Sequence, residues 1–185
     1  MPTPSEFEIA DFGGDTDDVT NSQGSSLYKT MTLEWSKPIL WRRGHRAPDN
    51  PVEDPCVYAI LRSHGNMTDG RRIEYIGLTR RPRARFANHA TGRRVVKKYG
   101  EVHLVYAPVP VSGRNWETNQ KRALEEIEHL LIWATWRHLV ENERKLYTLP
   151  GMGQVRGNAW HIYNVGFPSE LHMPKEIIYP WMLVR

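Results

Sequence analysis

Glu128 lies where an acid is expensive. The segment Glu117–Leu139 carries apolar residues at 124, 127, 131, 132 and 139, a helical spacing. At about 100° per residue, Leu124, Ile127, Leu131 and Thr135 share one face, and Glu128 falls within it near Leu131 and Ile132. Glu126 points the other way and Glu125 sits at the edge. A carboxylate on an apolar stripe needs compensation. Three readings are open: a buried ion pair with an Arg, a slightly different helix register, or a metal ligand or acid–base group in a cleft. Functional sites break local rules in this last way. A second constellation is Arg85 and His89, four residues apart in a helix predicted over Pro82–Ala90 and flanked by Gly92. Asn88 lies beside them, and Phe86, Ala87 and Ala90 form the core-facing side. Alone, the pair amounts to a weak phosphate site. Tyr58 and Tyr75 sit in β-prone runs, where hairpin packing is the simplest role for a tyrosine.

The elements that must position these groups follow from patterning. Val57–Leu61 and Arg72–Gly77 read as strands joined by the turn-rich SHGNMTDGR, a hairpin with a long loop. Val102–Val109 is a third strand. Lys29–Arg43 reads as one or two short strands interrupted at Pro38, and Gly44–Pro55, with three prolines, as a connector. Short strand-like pieces recur at 160–163 and 177–184. The order strand, strand, helix, strand, long helix predicts a small α+β domain with helices against a sheet.

VYA at 57–59 followed by Tyr75-Ile76-Gly77 resembles the paired motifs of the GIY-YIG nuclease superfamily. That family places an Arg ten residues after the second tyrosine and often a His four later, here Arg85 and His89. It places a Glu in a later helix in a pattern like Glu-x-x-Leu-Ile, matched by Glu128, Leu131 and Ile132. An Asn usually follows the Glu by a dozen or so residues, for which Asn142 is best placed. Asn164-Val165-Gly166 is similar to a segment that ends some small members. The resemblance covers about residues 56–142. Cys56 and Val57 replace the first Gly and Ile of the name motif, no proline precedes Asn142, and the 17-residue spacing from Tyr58 to Tyr75 implies an enlarged hairpin loop.

The resemblance implies a small three-stranded antiparallel sheet flanked by helices, over residues 56–142. An N-terminal extension (29–55) and a C-terminal extension (143–185) packed on the core would complete it. It implies a metal-dependent endonuclease hydrolysing phosphodiester bonds in DNA, with one Mg²⁺ or Mn²⁺ held by Glu128 and completed by waters and phosphate oxygens. Arg85 would hold the scissile phosphate, and Tyr58 or Tyr75 would orient or deprotonate the water. His89 would orient a tyrosine, share the base role or touch the leaving group. Asn142 would complete the catalytic set.

Charge is consistent with such a partner. Residues 1–28 hold six acids and no Lys or Arg, a composition expected of a flexible tail. The remainder carries all 25 Lys and Arg against 15 acids, a formal charge of +10. Arg71, Arg72, Arg80, Arg81, Arg83, Arg93, Arg94, Lys97 and Lys98, with Arg85, crowd 71–98 against one acid, Glu74. That stripe would hold a polyanion backbone, or simply be a solvated face. It does not distinguish DNA from RNA. The alternatives are a nucleic-acid-binding module of the same fold without cleavage, an RNA-directed nuclease, or a structural or protein-interaction domain. A homodimer is compatible with any of these. One cysteine, Cys56, excludes an internal disulfide framework and a Cys-based zinc site and fits a reducing compartment. With no basic-apolar leader and no stretch of about 18 apolar residues, a cytoplasmic protein without a membrane partner is expected.

Overall fold

The computed structural model describes residues 16, 19–20, 23–49, 52–63, 71–110, 116–150 and 158–179. The strands are β1 (Tyr28–Glu34), β2 (Ile39–Leu40), β3 (Cys56–Ser63), β4 (Arg72–Thr79), β5 (Glu101–Pro108), β6 (Ala159–Val165) and β7 (Glu176–Tyr179). The helices are α1 (Pro82–Ala87), α2 (Ala90–Val96) and α3 (Trp116–Thr135), the last followed by a 3₁₀ turn at Trp136–His138. No described helix is long and apolar enough to cross a membrane.

The expected single three-stranded sheet is corrected to two sheets. The larger is four-stranded and antiparallel in the order β2-β5-β3-β4, and the smaller is β1-β6-β7, with β1 and β6 parallel. The β3–β4–β5 unit is the predicted hairpin and third strand. The fourth strand arises because the chain resumes after Pro38 along the outer edge of β5, where Trp41 N donates to Val102 O at 2.8 Å. The second sheet joins the two ends of the chain in register, Tyr28 opposite Ala159 and Glu34 opposite Val165. A parallel pair has no hairpin turn to announce it, so local pattern shows the strands but not their pairing. Residues 29–49 therefore contribute a strand to each sheet. Trp35 N donates to Val165 O and Ser36 N to Tyr106 O, both at 2.8 Å, passing the chain between them. In the acidic segment, Thr16 is buried with its Oγ1 2.5 Å from His161 Nδ1, and Leu27 N donates to Val19 O. Most of residues 1–22, and residues 64–70 of the long hairpin loop, lie outside the described residues.

Both faces of the larger sheet are covered, which explains why Cys56–Arg62 are all buried. Val57, Ala59 and Leu61 pack with α3 and the smaller sheet, whereas Cys56, Tyr58 and Ile60 pack with α1, α2 and Trp41. A bulge between Ile60 and Leu61 leaves Glu74 as the unpaired extra residue of β4. Thus Tyr75 and Gly77 share a face with Tyr58, while Ile76 and Ile73 join the α3 core.

The helix predicted over Pro82–Ala90 is in fact two. His89 is the N-cap of α2, and its Nδ1 accepts from Gly92 N at 2.8 Å. Gly92, expected to end a helix, lies inside α2, where the edge of the Trp41 ring closes on it and leaves no room for a Cβ.

Candidate active site

Four of the predicted residues meet. Tyr58, fully buried on β3, presents its hydroxyl to His89 Nε2 at 2.7 Å and receives Arg85 Nε at 3.0 Å. Arg85 Nη2 also donates to the Tyr75 hydroxyl at 3.4 Å. The His89 ring centroid lies 5.5 Å from Tyr58 and 5.4 Å from Tyr75. Arg85 and His89 do not share a helix face, as expected of one helix. They converge because the break between α1 and α2 turns His89 inward.

Backbone geometry fixes the His89 tautomer. Gly92 N can only donate, so Nδ1 is the acceptor and Nε2 carries the hydrogen that bonds Tyr58. Burial, and then the Arg85 charge, hold the imidazole down at about 4, so it is neutral near pH 7. The Tyr58 oxygen therefore accepts from a neutral imidazole and from a guanidinium. Burial, with Tyr75 beside it, nevertheless pushes the Tyr58 phenol well above its ordinary value, and Arg85 only partly opposes this.

Gly77 makes the arrangement possible. It faces Tyr58 across the β3–β4 ladder, and a Cβ built on it would lie 2.6 Å from both Tyr58 Oη and Tyr75 Cε1. Gly77→Ala is expected to displace a tyrosine and destabilise the protein by about 1–3 kcal/mol, the usual cost of overpacking. A thermal melt indistinguishable from wild type would show that the hydroxyl is not seated by this close approach.

Glu128 is buried, as the helical stripe predicts, at 9% exposure. Its partner is not an Arg but Lys145, whose Nζ lies 2.5 Å from Oε2. Burial raises the Glu128 carboxyl and Lys145 opposes the rise. Lys145 holds a left-handed φ of 66°, an unusual conformation for a side chain of this kind. The segment carrying it is fastened at both ends. At one end, Glu141 N donates to Glu74 O, and the Asn142 amide exchanges 2.9 Å hydrogen bonds with Ile76 N and O, pairing with the free edge of β4. At the other, His129 Nε2 lies 2.7 Å from Thr148 O. Asn142 thus braces the Tyr-Ile-Gly strand. A cleft of about 470 Å³ is lined by Tyr75, Arg94, Glu128, Ile132, Glu141, Asn142 and Lys145, among others. Arg85, bonded to Tyr75, lines a second cleft of about 580 Å³ with Arg80, Arg81, Asn88 and Gln120.

Glu126, placed on the opposite face by the helical wheel, accepts from Trp160 Nε1 at 2.7 Å and Asn158 Nδ2 at 2.8 Å, tying α3 to β6. The basic stripe divides. Glu74, fully buried, accepts from Arg62, Arg72 and Lys98; these bonds outweigh burial and hold its carboxyl below the usual range. Arg94 and Lys98 bond Glu141, Arg71 pairs with Glu170 at 3.7 Å, and Arg83 pairs with Glu53. Arg80, Arg81, Arg93 and Lys97 are exposed and form no ion pair among the described residues.

Lys145 and Trp41 are the site components that sequence patterning misses. Lys145 lies in an aperiodic segment whose register against Glu128 no local signal sets. Trp41 could have been noticed only as a large aromatic beside a strand. Among the described residues no group of three or more His, Cys, Asp or Glu side chains is arranged to hold a metal. No protein-family model, curated protein or solved structure matches the chain.

Proposed function

We propose that the chain is a divalent-cation-dependent endonuclease acting on DNA through a single-metal site of the GIY-YIG type. The observation that carries this reading is the convergence of Tyr58, Tyr75, Arg85 and His89, with Glu128 in the cleft that Tyr75 lines. One buried carboxylate suits Mg²⁺ or Mn²⁺, which retain several waters and take further oxygens from phosphate. The Lys145 ammonium already shows that positive charge is accommodated at that carboxylate. When bound, such a cation supplies Lewis-acid polarisation of a phosphoryl oxygen.

The chain's own groups divide the remaining work. Arg85, with its planar fork, holds the phosphate. Tyr75 lines the cleft whereas Tyr58 is fully buried, so Tyr75 is the tyrosine that orients the attacking water. Arg85 donates to its hydroxyl and so holds that oxygen beside the phosphate-binding fork. Tyr58 and His89 are positioning residues that fix the guanidinium. Arg80, Arg81, Arg93 and Lys97 contact backbone phosphates on either side.

The Lys145–Glu128 pair favours a second reading, a nucleic-acid-binding module whose carboxylate is satisfied by an ammonium and which does not cleave. Glu128→Gln separates the two. On supercoiled plasmid with Mg²⁺, wild type is expected to nick and linearise, and Glu128→Gln to lose at least about a hundredfold in rate while binding DNA as tightly or more so. Binding without cleavage by wild type would establish the second reading, and a fully active Glu128→Gln protein would remove Glu128 from the chemistry.

A further inference from the structure

Beyond the cleft lies an aromatic surface that the proposed reaction does not use. Tyr147 is 79% exposed, and its ring meets Trp136 edge to face at 5.4 Å. The Arg137 guanidinium sits 5.4 Å from the Trp136 ring centre. Most exposed tyrosines are incidental. This one is held between two fastenings, Lys145 to Glu128 on one side and Thr148 to His129 on the other. It is therefore presented on a braced segment rather than on a free loop.

The surface is also aligned with the cleft. Glu128 and Ile132 line the cleft, and Trp136 opens the 3₁₀ turn that directly follows α3. Eight residues of helix place it about 12 Å from Glu128 along the axis, within a few nucleotides of a phosphate held there. Arg137 and Arg144 are exposed beside it and supply positive charge for the intervening backbone.

We infer that Tyr147, buttressed edge to face by Trp136, forms a stacking platform for an unpaired nucleobase close to the cleavage point, which makes DNA with single-stranded character beside the cut the substrate class. A paired base in a duplex keeps both faces stacked on its neighbours and has none to offer the ring, whereas an unpaired base stacks without regard to sequence. The inference rests on the nuclease reading for the ligand class and for the position of the cut.

The test is binding, measured without divalent metal by fluorescence anisotropy, of a labelled single-stranded oligonucleotide and of the same sequence as a duplex. Tyr147→Ala is expected to weaken single-strand binding about tenfold and to leave duplex binding unchanged. Its salt dependence should match wild type, because no phosphate contact is removed. Tyr147→Phe should bind as wild type, since the ring and not the hydroxyl does the stacking. A Tyr147→Ala protein that binds the single strand normally, or weakens on both ligands equally, overturns the platform. That result leaves the nuclease reading standing, because plasmid cleavage and its dependence on Glu128 are read separately. A wild-type protein that binds neither ligand sinks both. Should Tyr147→Ala melt abnormally, Tyr147→Leu, which keeps an apolar cover over Trp136, carries the same comparison.

Discussion

Arg85→Lys is expected to lose cleavage by about a hundredfold to a thousandfold while binding DNA almost as well as wild type. The size follows from removing a preorganised donor that acts where transition-state charge develops, and the selectivity follows from geometry. Arg85 uses Nε for Tyr58 at 3.0 Å and Nη2 for Tyr75 at 3.4 Å, leaving the rest of the fork for a phosphate. A lysine preserves the charge that attracts the polyanion, but one ammonium cannot hold two phenols and a phosphate in a fixed plane. Single-turnover cleavage at saturating DNA isolates the chemical step from affinity. A lysine variant with near-normal single-turnover rates would mean that only charge is needed, and the converging tyrosines would then have no catalytic part.

How far the residues announce this site depends on what kind of interaction places each one. Glu128 is legible because a helix imposes its own period: an acid among Leu124, Ile127 and Leu131 is anomalous whatever lies outside the helix. Its counter-ion is not legible, since Lys145 reaches it from an irregular segment fixed by Asn142 on the edge of β4. Local pattern finds β3, β4 and β5, reads the stretch holding β1 and β2 as one or two short strands, and marks β6 and β7 as short strand-like pieces at 160–163 and 177–184, of which 180–184 lie outside the described residues. It does not pair β1 with β6, because their contact joins opposite ends of the chain without a turn. The basic stripe is legible as composition but not as available charge, since burying Glu74 at a bulge takes up Arg72 and Lys98. Glu126 reverses the lesson. It is correctly placed on the far face of α3, yet that face meets β6, so Glu126 is a structural acceptor there.

His89 gives the site a stability signature independent of any activity. The imidazole is buried beside the Arg85 guanidinium, and it both accepts from Gly92 N and donates to Tyr58, a combination open only to the neutral ring. Its folded value of about 4 lies below the unfolded value of 6.5. Between these limits the unfolded chain holds a proton that the folded chain refuses, so unfolding free energy rises with pH across the interval. The contribution is complete above about pH 6.5 and is lost as pH falls to about 4, a change of about 3 kcal/mol. Glu74 adds a loss of the same sign as pH falls through its own range, whereas Glu128, whose value is raised, acts in the opposite sense. His103, His129 and His138 are also lowered by burial, so the wild-type profile alone does not isolate His89. Comparison with His89→Asn does. Asparagine retains an acceptor suited to capping Gly92 N but has no proton to gain. The variant should be less stable than wild type near neutral pH, through loss of the Tyr58 contact, and the gap should close by about 3 kcal/mol on acidification toward pH 4. Urea titrations across this range read the gap directly, and a gap independent of pH would show that His89 titrates in the folded protein as freely as in the unfolded chain.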